Sequence, residues 1–143
     1  MPRIFRPQAL WPLAAAAVLA LTAPAQAAEI LECRLRGDNT WVPTLVVVEV
    51  GREGNEVTVF DPIIKYFRGA PIRATVAVDN PRRTTFTWSL RARDAQNQET
   101  RIEYRLTRLK ADNRATLLAN PLGYAGPFAG QGTCTARQGR VTG

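Results

Sequence analysis

The chain has 143 residues, 45% of them hydrophobic and 22% charged, with ten Gly, ten Pro, two Cys and no His. That length supports one domain, and the apolar fraction is that of a chain able to bury a core. Without histidine the chain cannot build Ser-His-Asp or Cys-His triads, His-ligated metal sites or a histidine-based pH switch. The formal net charge is +7, carried almost wholly by arginine, since Lys65 and Lys110 are the only lysines. Such a balance favours anionic surroundings without choosing a partner.

Residues 1–27 read as a secretory signal peptide. Arg3 and Arg6 give a positive start, residues 13–21 are continuously apolar, and Ala25-Gln26-Ala27 supplies a small-x-small cleavage pattern. The apolar run would reach roughly 14 Å as a helix, about half of the hydrocarbon layer, so cleavage near Ala27 is expected rather than anchoring. The expected product is a periplasmic or secreted protein with no transmembrane segment left. It would comprise one domain over residues 28–137 and a flexible tail over 138–143.

From residue 28 onward the pattern has period two, which predicts strands. Leu31, Cys33 and Leu35 alternate with charged residues and end at Gly37-Asp38-Asn39. Residues 44–50 are rich in β-branched side chains, and the consecutive Leu45 to Val48 suggest a strand covered on both faces. A turn at 51–55 precedes a strand at 56–60. Asp61-Pro62 then opens a stretch read as irregular through Phe67 to Gly69. Three strands follow as a meander, with Ile72, Ala74, Val76 and Val78, then Phe86, Trp88 and Leu90, then Ile102, Tyr104 and Leu106 facing inward. Asn80-Pro81-Arg82-Arg83 fits a type I turn between the first two. A short strand at 115–119, a loop at 120–131 and a last strand at 132–137 complete the chain.

Two cysteines in an exported chain allow one intramolecular bridge, Cys33 to Cys134, closing a loop of about 100 residues. Seven to nine short strands joined by tight turns predict an all-β fold, either a small antiparallel meander barrel or a β-sandwich. The bridge would tie the terminal strands together, which favours the barrel. An immunoglobulin sandwich fits poorly, because Gly132 stands where a Tyr would precede the second cysteine.

Two constellations suggest binding. Arg73, Arg91 and Arg101 share the outward parity of the meander. One register would set Arg91 opposite Arg101 and Arg73 opposite Arg91; another would set Arg91 opposite Glu103. The first makes an anion-binding patch, the second an ordinary solvated face. In the Gly- and Pro-rich 120–131 loop, Tyr124 and Phe128 could line a barrel mouth or simply plug it. The glycines do not follow a phosphate-cradling pattern.

No catalytic residues emerge. Asp38, Asp61, Asp79, Asp94 and Asp112 all lie at turns, where aspartate serves local hydrogen bonds, and Ser89 is the only serine. The expected function is therefore a non-enzymatic binding module for an apolar or anionic ligand, with no metal or cofactor. The alternative is a structural accessory of the cell envelope or an inhibitor of a protein partner. The partner is open, an anionic envelope component or a protein, and nucleic acid is not expected.

Overall fold

Period-two alternation from Ala28 onward resolves into eight strands: β1 (Ala28–Arg36), β2 (Leu45–Val50), β3 (Val57–Phe60), β4 (Ile72–Asp79), β5 (Arg83–Arg93), β6 (Glu99–Leu109), β7 (Arg114–Pro121) and β8 (Phe128–Gly139). The computed structural model describes residues 28–51 and 56–139. The signal-peptide reading of 1–27 and residues 140–143 of the expected tail lie outside the described residues. Each strand pairs antiparallel with its sequence neighbour, and β1 also pairs with β8, so the sheet closes into a barrel. Closure satisfies every strand edge within the sheet, and it replaces the sandwich alternative.

The closing seam is built around the cysteines. Cys33 stands directly opposite Cys134 in the β1–β8 register, and a disulfide joins them across a sequence separation of 101. Two residues before Cys134 on β8, a Cβ on Gly132 would lie 1.7 Å from the Arg34 carbonyl oxygen. Only glycine lets the two backbones approach so closely there.

Inside, β5 and β6 pair their largest side chains: Phe86 opposite Leu106, Trp88 opposite Tyr104 and Leu90 opposite Ile102. Trp88 and Tyr104 stack with ring centroids 5.3 Å apart and planes 14° from parallel. Val46 and Val48 of β2 lie across the barrel, Val59 of β3 and Leu117 of β7 fill the walls between, and the core is continuous through the barrel. Ile72, Ala74 and Val76 of β4 pack on this core but stay partly exposed. On β2 only Val46 and Val48 are buried, while Leu45 and Val47 are half-exposed. The expectation that both faces of β2 are covered is thus corrected: its outer face meets solvent, as the outside of a barrel does.

Residues 62–68, read as irregular, form a helix, α1 (Pro62–Arg68). Asp61 caps it, its side chain accepting from the Ile63 and Ile64 amides, Pro62 occupies the first turn, and Gly69 ends it at φ 73°. These are the three punctuation marks of a helix. Ile64 is fully buried, so α1 plugs one end of the barrel. That end, the loop pole, also carries the connections at 37–44, 94–98 and 122–127; the opposite pole carries the tight turns at 80–82 and 110–113. The connection between β7 and β8 is shorter than the loop read at 120–131, because β7 runs to Pro121 and β8 begins at Phe128. At its other end β8 continues to Gly139, pairing Gly139 with Ala28, so residues 138 and 139 of the expected tail belong to the sheet.

A thiol titration of the denatured, unreduced protein should find no free thiol, and Cys33→Ala should lower stability by about 2–5 kcal/mol. Trp88→Ala should cost about 3–5 kcal/mol through the cavity it leaves. In a variant with Trp11 and Trp41 replaced by Phe, the remaining Trp88 emission should resist quenching by acrylamide.

Candidate functional site

The antiparallel ladders that turn apolar residues inward set a grid of polar side chains on the outer face of β4–β7. Thr75, Thr87, Arg105 and Leu118 form one row across the four strands. Ser89, Glu103 and Asn120 form the next, and continuing the Thr75–Thr87 register brings Arg73 alongside Ser89. With Arg101 and Pro127 these residues line a groove of about 680 Å³ over the buried Trp88 and Tyr104.

The electrostatics of the groove are uneven. The Arg101 side chain leans back, its Nε donating to Ser89 Oγ at 2.8 Å, and its Nη2 lies 3.2 Å from Glu103 Oε1. Arg73 and Arg105 form no ion pair among the described residues. The groove therefore presents two uncompensated guanidinium groups flanking a neutralised Arg–Glu pair. Guanidinium forks are suited to carboxylate, sulfate or phosphate, and neighbouring hydroxyls and amides add neutral hydrogen-bonding capacity.

Of the arginines singled out from the sequence, Arg91 does stand opposite Arg101. Arg73 does not complete that row: its ladder partner on β3 is Thr58, and on the other side it adjoins Ser89. A bulge between Val76 and Val78 shifts the β4–β5 register. Arg91 is drawn to Glu99 at 3.4 Å and lines an adjoining hollow of about 350 Å³ with Arg68, Arg73 and Arg101. Sequence reasoning missed Arg105. Its parity on β6 is that of Arg101 and Glu103, so the signal was present.

Tyr124 and Phe128 do not form a common mouth. Phe128 packs against the core, whereas Tyr124 is exposed and its hydroxyl donates to Asp94 Oδ2, tying the 122–127 connection to the 94–98 turn. That contact lowers the Asp94 pKa and raises that of Tyr124. Beside them, Trp41, Ile63, Tyr66 and Phe67 line a shallow apolar hollow of about 330 Å³, and Tyr66 is 82% exposed.

The turn aspartates hold groups within or between the connections. Asp79 holds Lys110, Asp94 accepts from the Gln96 and Gln98 amides, and Asp112 holds Arg114. Asp61 differs in being buried, with Oδ2 unpartnered among the described residues, as is Trp88 Nε1. Burial pushes the Asp61 carboxyl above the ordinary carboxylate range, against the opposing effect of its two amide donors. Burial likewise raises Tyr104, with a further contribution from the Asp61 charge. The Tyr104 hydroxyl donates to the Trp41 carbonyl at 2.9 Å. Both residues are buried, Asp61 as the cap of α1 and Tyr104 in the core, so their shifts express burial and not an accessible acid–base pair.

Among the described residues there is no cluster of three or more Cys, Asp or Glu able to hold a metal ion, and no helix is long and apolar enough to cross a membrane. The chain matches no known protein-family profile, no curated protein and no solved structure.

Because its folded-state pKa lies above the unfolded value of 3.8, Asp61 destabilises the fold when ionised. Its contribution is most favourable below the unfolded pKa and is lost as pH rises through the folded one. Asp79, Asp94 and Asp112 have lowered values and act in the opposite direction. Urea unfolding at a series of pH values should show the wild type losing stability relative to Asp61→Asn as pH rises from the unfolded value of 3.8 through the raised folded one. Asp61→Ala, which also removes the cap, should be less stable than Asp61→Asn by about 0.5–2 kcal/mol.

Proposed function

We propose that this protein is an exported, non-enzymatic binding module that takes an anionic ligand in the arginine groove on the outer face of β4–β7. The observation that carries the reading is the pair Arg73 and Arg105, two guanidinium groups without carboxylate partners among the described residues, set in one groove. Two such groups in one groove give an anionic ligand more than one guanidinium fork to pair with. The leader-like residues 1–27 and the disulfide support export, since such bridges persist in oxidising compartments.

The chemistry of the groove favours binding over catalysis. Ser89, its one serine hydroxyl, faces the Arg101 guanidinium, which takes up no proton and cannot act as a base. Trp88 and Tyr104 are buried beneath the groove, so no aromatic face is offered for base stacking, which argues against single-stranded nucleic acid. An apolar ligand finds the barrel axis occupied by core side chains. A second reading, docking of a protein partner at the loop pole, is favoured by the exposed Tyr66 next to the hollow around Trp41 and Phe67.

Titration with dextran sulfate and with neutral dextran tests the first reading. The sulfated polymer should bind and the neutral one should not, and binding should weaken steeply with salt because exposed charges are screened over about 8 Å at physiological ionic strength. Arg73→Gln combined with Arg105→Gln should weaken binding at least about tenfold without altering thermal stability. Arg82→Gln with Arg83→Gln removes the same charge from the opposite pole and should leave most binding intact. Equal losses in the two variants would reduce the attraction to net charge and end the reading.

A further inference from the structure

A site for a simple anion has no use for a carboxylate at its centre, yet Glu103 occupies that position. The outward residues of β6 run Arg101, Glu103, Arg105, which places the carboxylate's backbone roughly 7 Å from each arginine's along the strand. Across the ladders its neighbours are Ser89 and Asn120, both neutral. Glu103 cancels the charge of Arg101 at 3.2 Å, and the uncompensated cations are left at either side, Arg73 on β4 and Arg105 on β6. Two strand spacings and two residues of rise separate those two, about 12 Å between Cα atoms.

This spacing discriminates among anions. A single sulfate or phosphate would have to draw both side chains toward the β5 positions between them to engage the two guanidiniums at once. A polymer charged at every unit, such as polyphosphate, satisfies both but also lays an anion over Glu103, where repulsion opposes it. A polymer whose charges are separated by hydroxyl-bearing units meets neither difficulty. Its hydroxyls can donate to the remaining lone pairs of Glu103 and exchange hydrogen bonds with Thr87 and the Asn120 amide, which offers both donor and acceptor. We infer that the groove takes an acidic polysaccharide, with anionic groups on Arg73 and Arg105 and sugar hydroxyls over the Arg101–Glu103 pair. The inference rests on the anion-groove reading above and narrows it to one class of ligand.

Three probes separate the possibilities: a uronic-acid oligosaccharide, polyphosphate of equal total charge, and inorganic phosphate, each titrated against the full protein at fixed ionic strength. The oligosaccharide should bind about tenfold more tightly than polyphosphate, and inorganic phosphate should bind weakest. Glu103→Gln adds one positive charge, from which both polymers gain, but polyphosphate should gain several-fold more because it alone places an anion over residue 103. The affinity ratio of the two polymers is the readout, and it cancels the general effect of charge. Arg73→Gln with Arg105→Gln should weaken both. If polyphosphate binds the wild type as tightly as the oligosaccharide, or Glu103→Gln shifts both equally, the polysaccharide inference fails while the anion groove stands. If none of the three binds, the groove reading fails and the inference with it.

Discussion

The pairing of β1 with β8 is the constraint on which the rest of the barrel depends. Every other ladder joins neighbours in sequence, and their turns bring them together at small entropic cost. The closing ladder alone unites residues 101 apart, and it does so around the Cys33–Cys134 disulfide. A covalent link there removes much of the loop entropy that closure would otherwise have to overcome. Gly132 completes the seam by allowing the β8 backbone to lie against the Arg34 carbonyl. Were the seam to open, β1 and β8 would become free edges, and the curvature that holds β4 to β7 in one arc would no longer be enforced.

Closure also divides the chain's chemistry by parity. Inward positions fill the axis, from Phe86 and Trp88 across to Val46 and Val48, and α1 drives Ile64 into one end. With its interior packed, the barrel has only its outside and its poles to offer to other molecules. On the outer face of β4–β7 the same alternation that buries Tyr104 brings Glu103 and Arg105 out beside it. Core and groove are thus two readings of one register, and a slip of one residue on β6 would exchange them.

Much of this was legible in the sequence because it depends on period two. The meander core, the bridge between terminal strands and the outward parity of Arg73, Arg91 and Arg101 all follow from alternation and cysteine count. What escaped depends on other signals. The helix α1 is seven residues long, too short to show a 3.6-residue period, and only its cap residues Asp61, Pro62 and Gly69 announced it. Glycines and prolines at 120–131 read as a loop, yet Pro121 ends β7 and Gly130 and Gly132 make room within β8. Attention to an all-arginine row passed over Arg105, whose significance comes from Glu103 and from the register of β7. The β4–β5 register that sets Arg73 beside Ser89 and not Arg91, and the bulge within that ladder, left no trace in the pattern.

An even number of strands in an up-and-down closed sheet returns the chain to the pole where it began. Ala28 and Gly139 are ladder partners, so both ends of the barrel leave from beside the tight turns. Anything that holds the protein by either end, whether a surface, a carrier or a fused module, meets the same pole. The arginine groove then lies on the flank of the barrel, and the Tyr66-bearing pole at the end opposite the attachment. The barrel can be tethered from either direction without the tether covering the groove or the Tyr66-bearing pole.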